Sequence, residues 1–437
     1  MALTSRAAEP DGWSATTVAL PDGPAADPLA WLAAAPSDGE RWFWEAPEQG
    51  VSWVGLGVAD SIDVDGGDRF AEASRSAGDL FDTLKVDGPA GAPLPRLAAG
   101  FGFDDHPGRG RWGPLGAGRL VLPAVQVLRR DDGAWLTSVG GPAGPLPTRP
   151  APDPIPLPDT DPADWASPAA RHHYRNLVQT ALAAIAAGEL VKAVPCRSLT
   201  VPGRPGVAGL LATLRDTYPA CTTFCVGRHP VTFVGSTPER LAAVDGRSLD
   251  TAALAGSAPR SPLPGVDDAI GQGLLTSPKE RSEHAVVVEA IDEALSGLGV
   301  VPEHPPEPTL LRLHGIQHLH TPIRAEIRPS LSLLEVVGAL HPTPAVAGHP
   351  RARANQLRSE HEGFDRGWFA GPVGWVDAAG HGEFRVALRS ALIDENDTTL
   401  YAGAGVVPGS DPDRELLETD MKLQAMLGPV LARTAGR

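Results

Sequence analysis

Cysteine is scarce: Cys196, Cys221 and Cys225 are the three in 437 residues, too few and too scattered for a disulfide framework. No second Cys or His pair stands near Cys221 and Cys225 to complete a zinc site, so all three read as small buried hydrophobes. Positive charge is also short. Against 53 Asp and Glu there are 37 Lys and Arg, a net charge of −16. A nucleic-acid binder needs a basic stripe to displace counterions, which this balance excludes. The same deficit makes an anionic substrate awkward unless a cation or local Arg and Lys residues intervene. No apolar run approaches ~20 residues, so no membrane-spanning helix is expected. The first residues, MALTSRAAEPDGWSATT, lack a basic region followed by an apolar one, and a cytoplasmic protein is expected. No internal repeat of fixed period occurs.

What is present is an ordinary globular mix, 42% hydrophobic and 21% charged, long enough to bury a sizeable core. Residues 1–140 read as short strands between turns, among them RWFWEA, VSWVGLGVA and RLVLPAVQVLRR, with one helix at about 66–85. A proline-rich connector over 141–168 favours extended, exposed chain. Residues 169–437 begin with an amphipathic helix carrying Tyr174, Leu177, Ala181 and Ile185 on one stripe. That helix feeds LVKAVPCRSLTV, read as one strand. Further strands, a helix from SPKERSEH, a turn-rich ALHPTPAVAGHP and a final helix follow. Clustered strands with helices between them, without steady βαβ alternation, predict a large α+β sheet sandwich.

Two helix starts carry paired acids at i and i+3: Glu280 with Glu283, and Glu415 with Glu418. Alone, each pair reads as a solvated face on which like charges cost a little. Facing one another, the two would form a four-carboxylate oxygen cage suited to a hard divalent ion. GAGVVPGSDPDRE lacks the dinucleotide glycine spacing; Asp411 and Pro412 fit the N-cap and first position of the final helix. Lys192 in an apolar strand and Glu239 after a turn would ordinarily face solvent. A lysine facing a dry pocket instead becomes able to act as a base. Arg389 alternates with apolar neighbours and would be costly to bury unpaired. His318 is more commonly a hydrogen-bonded core histidine than a catalyst.

Taken together, AGELVKAVPCR, VGSTPERL, ALAGSAPR, SPKERSEHAVVV, IQHLHT, ALHPTPAVAG, EGFDRGWFAGPVGW, GEFRVALRSALI, YAGAGVVPGSDPDRELLET and Lys422 resemble the chorismate-utilising enzymes, in order, from about residue 170 to 430. The first 140 residues match loosely, through AAGFGFDD. The resemblance implies a single large α+β fold, like anthranilate synthase component I, with sheets packed around a deep site and 169–437 as the catalytic region. It implies Mg²⁺ held directly by Glu283 and Glu418, and through water by Glu280 and Glu415. Substrate contacts would come from Gly256, Ser257, His318, Ala345, Phe369, Arg389, Gly403, Gly405 and Lys422.

The branch turns on a few positions. Ala255 stands where the aminodeoxychorismate branch has a lysine, and the anthranilate branch lacks Lys192. Salicylate synthases tend to have Thr and Tyr where this chain has Ala345 and Phe369, which look like an isochorismate synthase. Ser257 replaces the family's usual threonine but keeps its hydroxyl. The implied reaction is conversion of chorismate to isochorismate, with Lys192 as general base and Glu239 as general acid. A menaquinone-type enzyme is favoured over a siderophore one. A monomer is expected, with no amidotransferase subunit. Alternatives are a salicylate synthase or ammonia-using branch, or a non-catalytic chorismate-binding protein.

Overall fold

Alternation within RWFWEA sets the layering. In the computed structural model, which describes residues 12–142 and 167–432, strand Arg41–Ala46 sends Trp42 and Trp44 to one side and Phe43 to the other. This is the two-residue period of an extended chain with both faces buried. Trp42 and Trp44 join a core containing Phe101 and Phe384 from a second sheet. Phe43 joins a cluster with Leu210 and Leu214 of helix Val207–Thr217 and Leu423 and Met426 of the final helix. Burying each such aromatic contributes roughly 1.5–3 kcal/mol.

Among the described residues two large sheets, of eleven and nine strands, both combine strands from the two ends of the chain. Strand Arg41–Ala46 pairs antiparallel with Thr222–Arg228. Strand Arg96–Phe101 pairs antiparallel with Pro372–Asp377. The N-terminal strands therefore lie within the same sheets as the later ones. The proline-rich connector falls almost wholly outside the described residues. No helix among the described residues is long and apolar enough to cross a membrane.

The expected helices near 66–85 and after residue 168 run over Arg69–Thr83 and Pro168–Ala186. Four helices absent from the sequence reading are Pro28–Ala34, Val207–Thr217, Pro264–Thr276 and Arg351–His361. Each starts at or just after a proline or glycine, so its flank reads as a turn. Pro28 and Pro264 instead occupy the first turn, where a missing N–H costs nothing. The expected strand LVKAVPCRSLTV is broken in two. Lys192–Ala193 pairs with Gly348–His349 in a separate two-stranded sheet, and Cys196–Pro202 enters the eleven-stranded one. Pro195, which has no N–H for a ladder, stands at the break.

Behind this break lies a fully buried ion pair. Arg366 donates to Glu362 through Nε at 2.8 Å and Nη2 at 2.7 Å. Its guanidinium also donates to the carbonyls of Val346 and Val194, each at 2.8 Å, while Glu362 accepts from the Cys196 N–H at 2.7 Å. One charge pair thus ties together three segments distant in sequence. Glu362→Ala leaves the arginine buried without its partner and is expected to cost about 3–5 kcal/mol. Urea unfolding checks this: the midpoint should fall with the slope unchanged, and a loss below about 1 kcal/mol would show that the pair does not hold these segments.

Candidate active site

A cavity opens where the strand ends, the Lys192 segment and the two acidic helix starts meet. Of the residues singled out from sequence, Glu239, Gly256, Ser257, Glu283, His318 and Ala345 line it. So do Phe369, Arg389, Gly403, Gly405, Glu418 and Lys422. Lys192, Glu280 and Glu415 stand behind the lining: Lys192 against Glu283, Glu280 accepting from the Ser257 N–H, and Glu415 against Lys279.

Backbone irregularities aim these side chains. Strand Ser248–Pro259 pairs with Ile316–Glu326 along its length, with a register shift between Ala255 and Ser257. Gly256 sits at the shift with φ 77°, a β-bulge that sets Ser257 opposite His318. Arg389 holds φ 45° and Ala370 φ 61°, both at the cavity wall. Such left-handed residues cost roughly 1–3 kcal/mol each and persist where surrounding structure fixes them. Glu239 is pinned by its own backbone: its N–H donates to Thr237 Oγ1 at 3.2 Å and its carbonyl accepts from Val386 N–H at 3.0 Å.

The acidic helices are set by their caps. Ser277 Oγ accepts from the Glu280 N–H in helix Pro278–Gly297, and Asp411 Oδ1 accepts from Asp413 and Arg414 N–H in helix Pro412–Ala432. His284, next to Glu283, bridges helix to sheet, with Nδ1 donating to the Ala255 carbonyl at 3.3 Å and Nε2 accepting from Thr321 Oγ1 at 2.8 Å. Lysines compensate all four carboxylates. Lys192 Nζ lies 2.9 Å from Glu283 Oε1, at angles outside those of a hydrogen bond. Lys422 Nζ lies 2.8 Å from Glu418 Oε1 and donates to the Gly403 carbonyl at 2.9 Å. Lys279 Nζ stands 3.0 Å from Glu415 Oε1 and 3.4 Å from Glu280 Oε1, bridging the two helix starts. A Cβ on Gly405 would come within 2.0 Å of Glu283 Oε1, so only glycine leaves room for that carboxylate.

Burial pushes the Glu280 carboxyl up, Lys279 opposes it, and Glu283 and Glu418 add to the rise. Burial and then Glu418 raise Glu415, against Lys279. Burial works the same way on Glu283, but Lys192 and then Lys279 and Lys422 outweigh it and hold the carboxyl below its ordinary value. Among the described residues no three acidic, imidazole or thiol groups converge into a ready metal cage; a lysine stands against each of the four carboxylates instead. The donor set is nonetheless all oxygen and crowded with like charge, the chemistry that a hard divalent ion satisfies.

Glu239 is buried and pushed up to about 7, by desolvation against the opposing pull of Lys192, Lys422 and Arg389. A carboxyl of this kind can give up a proton near neutral pH. Arg389 is buried yet has no carboxylate partner among the described residues. Its Nη2 donates to His318 Nε2 at 3.1 Å, and Nη1 approaches Cys221 Sγ at 3.8 Å. An unpaired buried guanidinium on a cavity wall calls for an anion.

The sequence reading missed several participants. Lys279 is one of them, although its position beside an i, i+3 acid pair is a usable signal. Tyr401 lines the cavity and stacks on Phe369 with centroids 5.2 Å apart, but LYAGAG reads as core. Val194 and Cys196 also line the cavity, and nothing local marks them.

The chain matches the chorismate binding enzyme family over residues 12–139 and 155–431. It is 36% identical over 381 residues to the salicylate biosynthesis isochorismate synthase of Pseudomonas aeruginosa, covering 83% of this chain and 79% of that protein. It is 33% identical over 368 residues to the isochorismate synthase MenF of Bacillus subtilis, covering 81% and 78%. Among solved structures, it superimposes with TM-score 0.79 and 27% identity on MenF, the menaquinone-specific isochorismate synthase from Escherichia coli, over 98% of this chain and 97% of that one. The chain belongs to the chorismate binding enzyme family and has its mixed α and β fold. For its ligand chorismate, Arg389→Met should raise Kd about 10- to 100-fold, the usual loss of a charge-assisted contact. Isothermal titration checks this, and an unchanged Kd would remove Arg389 as the anion anchor.

Proposed function

We propose that this chain converts chorismate to isochorismate. The observation that carries the reading is Glu239: a buried carboxyl with pKa about 7 shares one cavity with the unpaired Arg389 and lies within the field of Lys192 and Lys422. The relatives' named activities and the small side chain at Ala345, with Phe369 rather than tyrosine, support the same branch.

Arg389 and Lys422, with the backbone at Gly403 and Gly405, bind the substrate carboxylates and fix the ring between the acid and the base. Lys192, as the general base, takes a proton from the water that bonds to C2. Both double bonds of the ring diene shift by one position, from C1–C2 and C5–C6 to C1–C6 and C4–C5, and the C4–O bond breaks. Glu239 delivers its proton to the departing hydroxyl, which leaves as water, so one water enters and one departs. Glu283 and Glu418 would hold Mg²⁺ directly, and Glu280 and Glu415 through water; when bound, the ion supplies positive charge for the ring carboxylate. The E. coli structure that this chain matches along nearly its whole length is menaquinone-specific, which supports that destination for the product.

Incubation with chorismate and Mg²⁺, followed by chromatography, should yield isochorismate. Salicylate with pyruvate, or a product requiring ammonia, would reject the reading, and full activity in excess EDTA would reject the metal. Glu239 must be protonated to act, so kcat/KM should fall as pH rises through about 7. Glu239→Gln should remove that limb and leave activity at least roughly a hundredfold lower. Lys192→Gln should lose a similar factor while still binding chorismate; normal turnover in that variant would assign the base elsewhere.

A further inference from the structure

The hydrogen bonds behind the cavity wall run in one direction. Arg389 can only donate, so His318 Nε2, 3.1 Å from Arg389 Nη2, must accept and carries no proton. A neutral imidazole then holds its proton on Nδ1, which lies 3.0 Å from Ser257 Oγ. Ser257 Oγ accepts that proton's bond and has no other partner among the described residues, leaving the hydroxyl's own proton to point elsewhere. Ser257 lines the cavity. The backbone builds this arrangement: the bulge at Gly256 puts Ser257 directly across from His318, and the left-handed turn at Arg389 brings the guanidinium onto the ring.

We infer that Arg389, His318 and Ser257 form a fixed relay that presents the Ser257 hydroxyl as a hydrogen-bond donor to an oxygen of the bound substrate, with His318 a positioning residue that transfers no proton. The groups facing the imidazole agree with this. Burial, and then Arg389 and Lys422, oppose a second proton on the ring and outweigh the one contact that favours it, a backbone hydrogen bond with Gly256. His318 therefore stays neutral and turned one way while Glu239 titrates. The relay also aims Arg389, since one of its donors is committed to the ring. Acceptor oxygens, of a carboxylate or a hydroxyl, suit this point of the cavity; a donor group such as an ammonium does not. That the oxygen belongs to chorismate rests on the function proposed above, whereas the relay itself belongs to the free protein.

Two measurements separate those parts. In the ligand-free, ¹⁵N-histidine-labelled protein, the His318 signals, assigned by their loss in His318→Gln, should show the Nδ1–H tautomer throughout about pH 5 to 8, where ordinary histidines titrate. An Nε2–H tautomer or an imidazolium in that range would overturn the relay, whatever reaction the protein catalyses. In turnover, Ser257→Ala should lower kcat/KM about 10- to 100-fold, and Ser257→Thr, which restores the hydroxyl, should recover most of it. His318→Gln should slow the reaction without moving the fall of kcat/KM through about pH 7 that Glu239 sets. A changed pH profile in His318→Gln would make His318 a proton-transfer group, and wild-type kinetics in Ser257→Ala would leave the hydroxyl without a role; either result defeats the inference.

Discussion

Taking a carboxylate out of water costs several kcal/mol, and this fold gathers five of them, Glu239, Glu280, Glu283, Glu415 and Glu418, in and behind one cavity wall. That is tolerable only where each charge is met or removed. Lys192, Lys279 and Lys422 meet four of them, and Glu239 takes the other course by holding a proton up to about pH 7. Much of the surrounding architecture follows from this compensation. Capped helix starts bring the acids together, a small separate sheet withdraws Lys192 from the main one, and Gly405 leaves space for Glu283. The net charge of −16, which made an anionic substrate look awkward, is irrelevant at short range: Arg389 stands on the wall with no carboxylate among the described residues to neutralise it.

What the sequence disclosed, and what it withheld, divides along the range of the interactions. The acidic pairs were legible because i, i+3 spacing on a capped helix is a local pattern, and Asp411 and Pro412 marked the start of the final helix. Most lining residues were legible only through ordered blocks resembling a family. Lys192 could not be distinguished locally from a solvent-facing strand lysine; its burial depends on a pairing with His349, far along the chain. Helices such as Val207–Thr217 were hidden by the prolines and glycines at their starts, which serve equally as turn formers. Lys279 was marked locally only by its place beside the acid pair; the bridge it makes to Glu415 crosses a helix–helix junction, which spacing does not show.

The geometry of the site is carried by departures from regular structure. Gly256 interrupts a long ladder, Arg389 and Ala370 occupy backbone conformations rare for their residue types, and Pro195 ends one strand before another begins. Each departure turns a side chain toward a point that an unbroken strand would miss. Their cost is carried by the surrounding core, in which two large sheets share an aromatic layer and the Glu362–Arg366 pair clamps the loops behind the wall. Rigidity there and strain at the rim are parts of the same arrangement.

The interleaving of distant strands has a consequence for how the protein is made. Glu45 lies opposite Thr223, and Gly100 lies opposite Val373, so each early strand waits for a partner still to be synthesised. At ordinary elongation rates the first wait lasts roughly ten to forty seconds and the second roughly fifteen to fifty-five. During that interval the tryptophan-rich segment around Trp42, Trp44 and Trp53 has left the ribosome with one edge unpaired and its aromatic face uncovered. The nascent chain is then a sticky half-sheet, a substrate for chaperones and a hazard on crowded polysomes. A slow stretch of translation would prolong that exposure, so the codons between these strands bear on yield as much as the residues they encode.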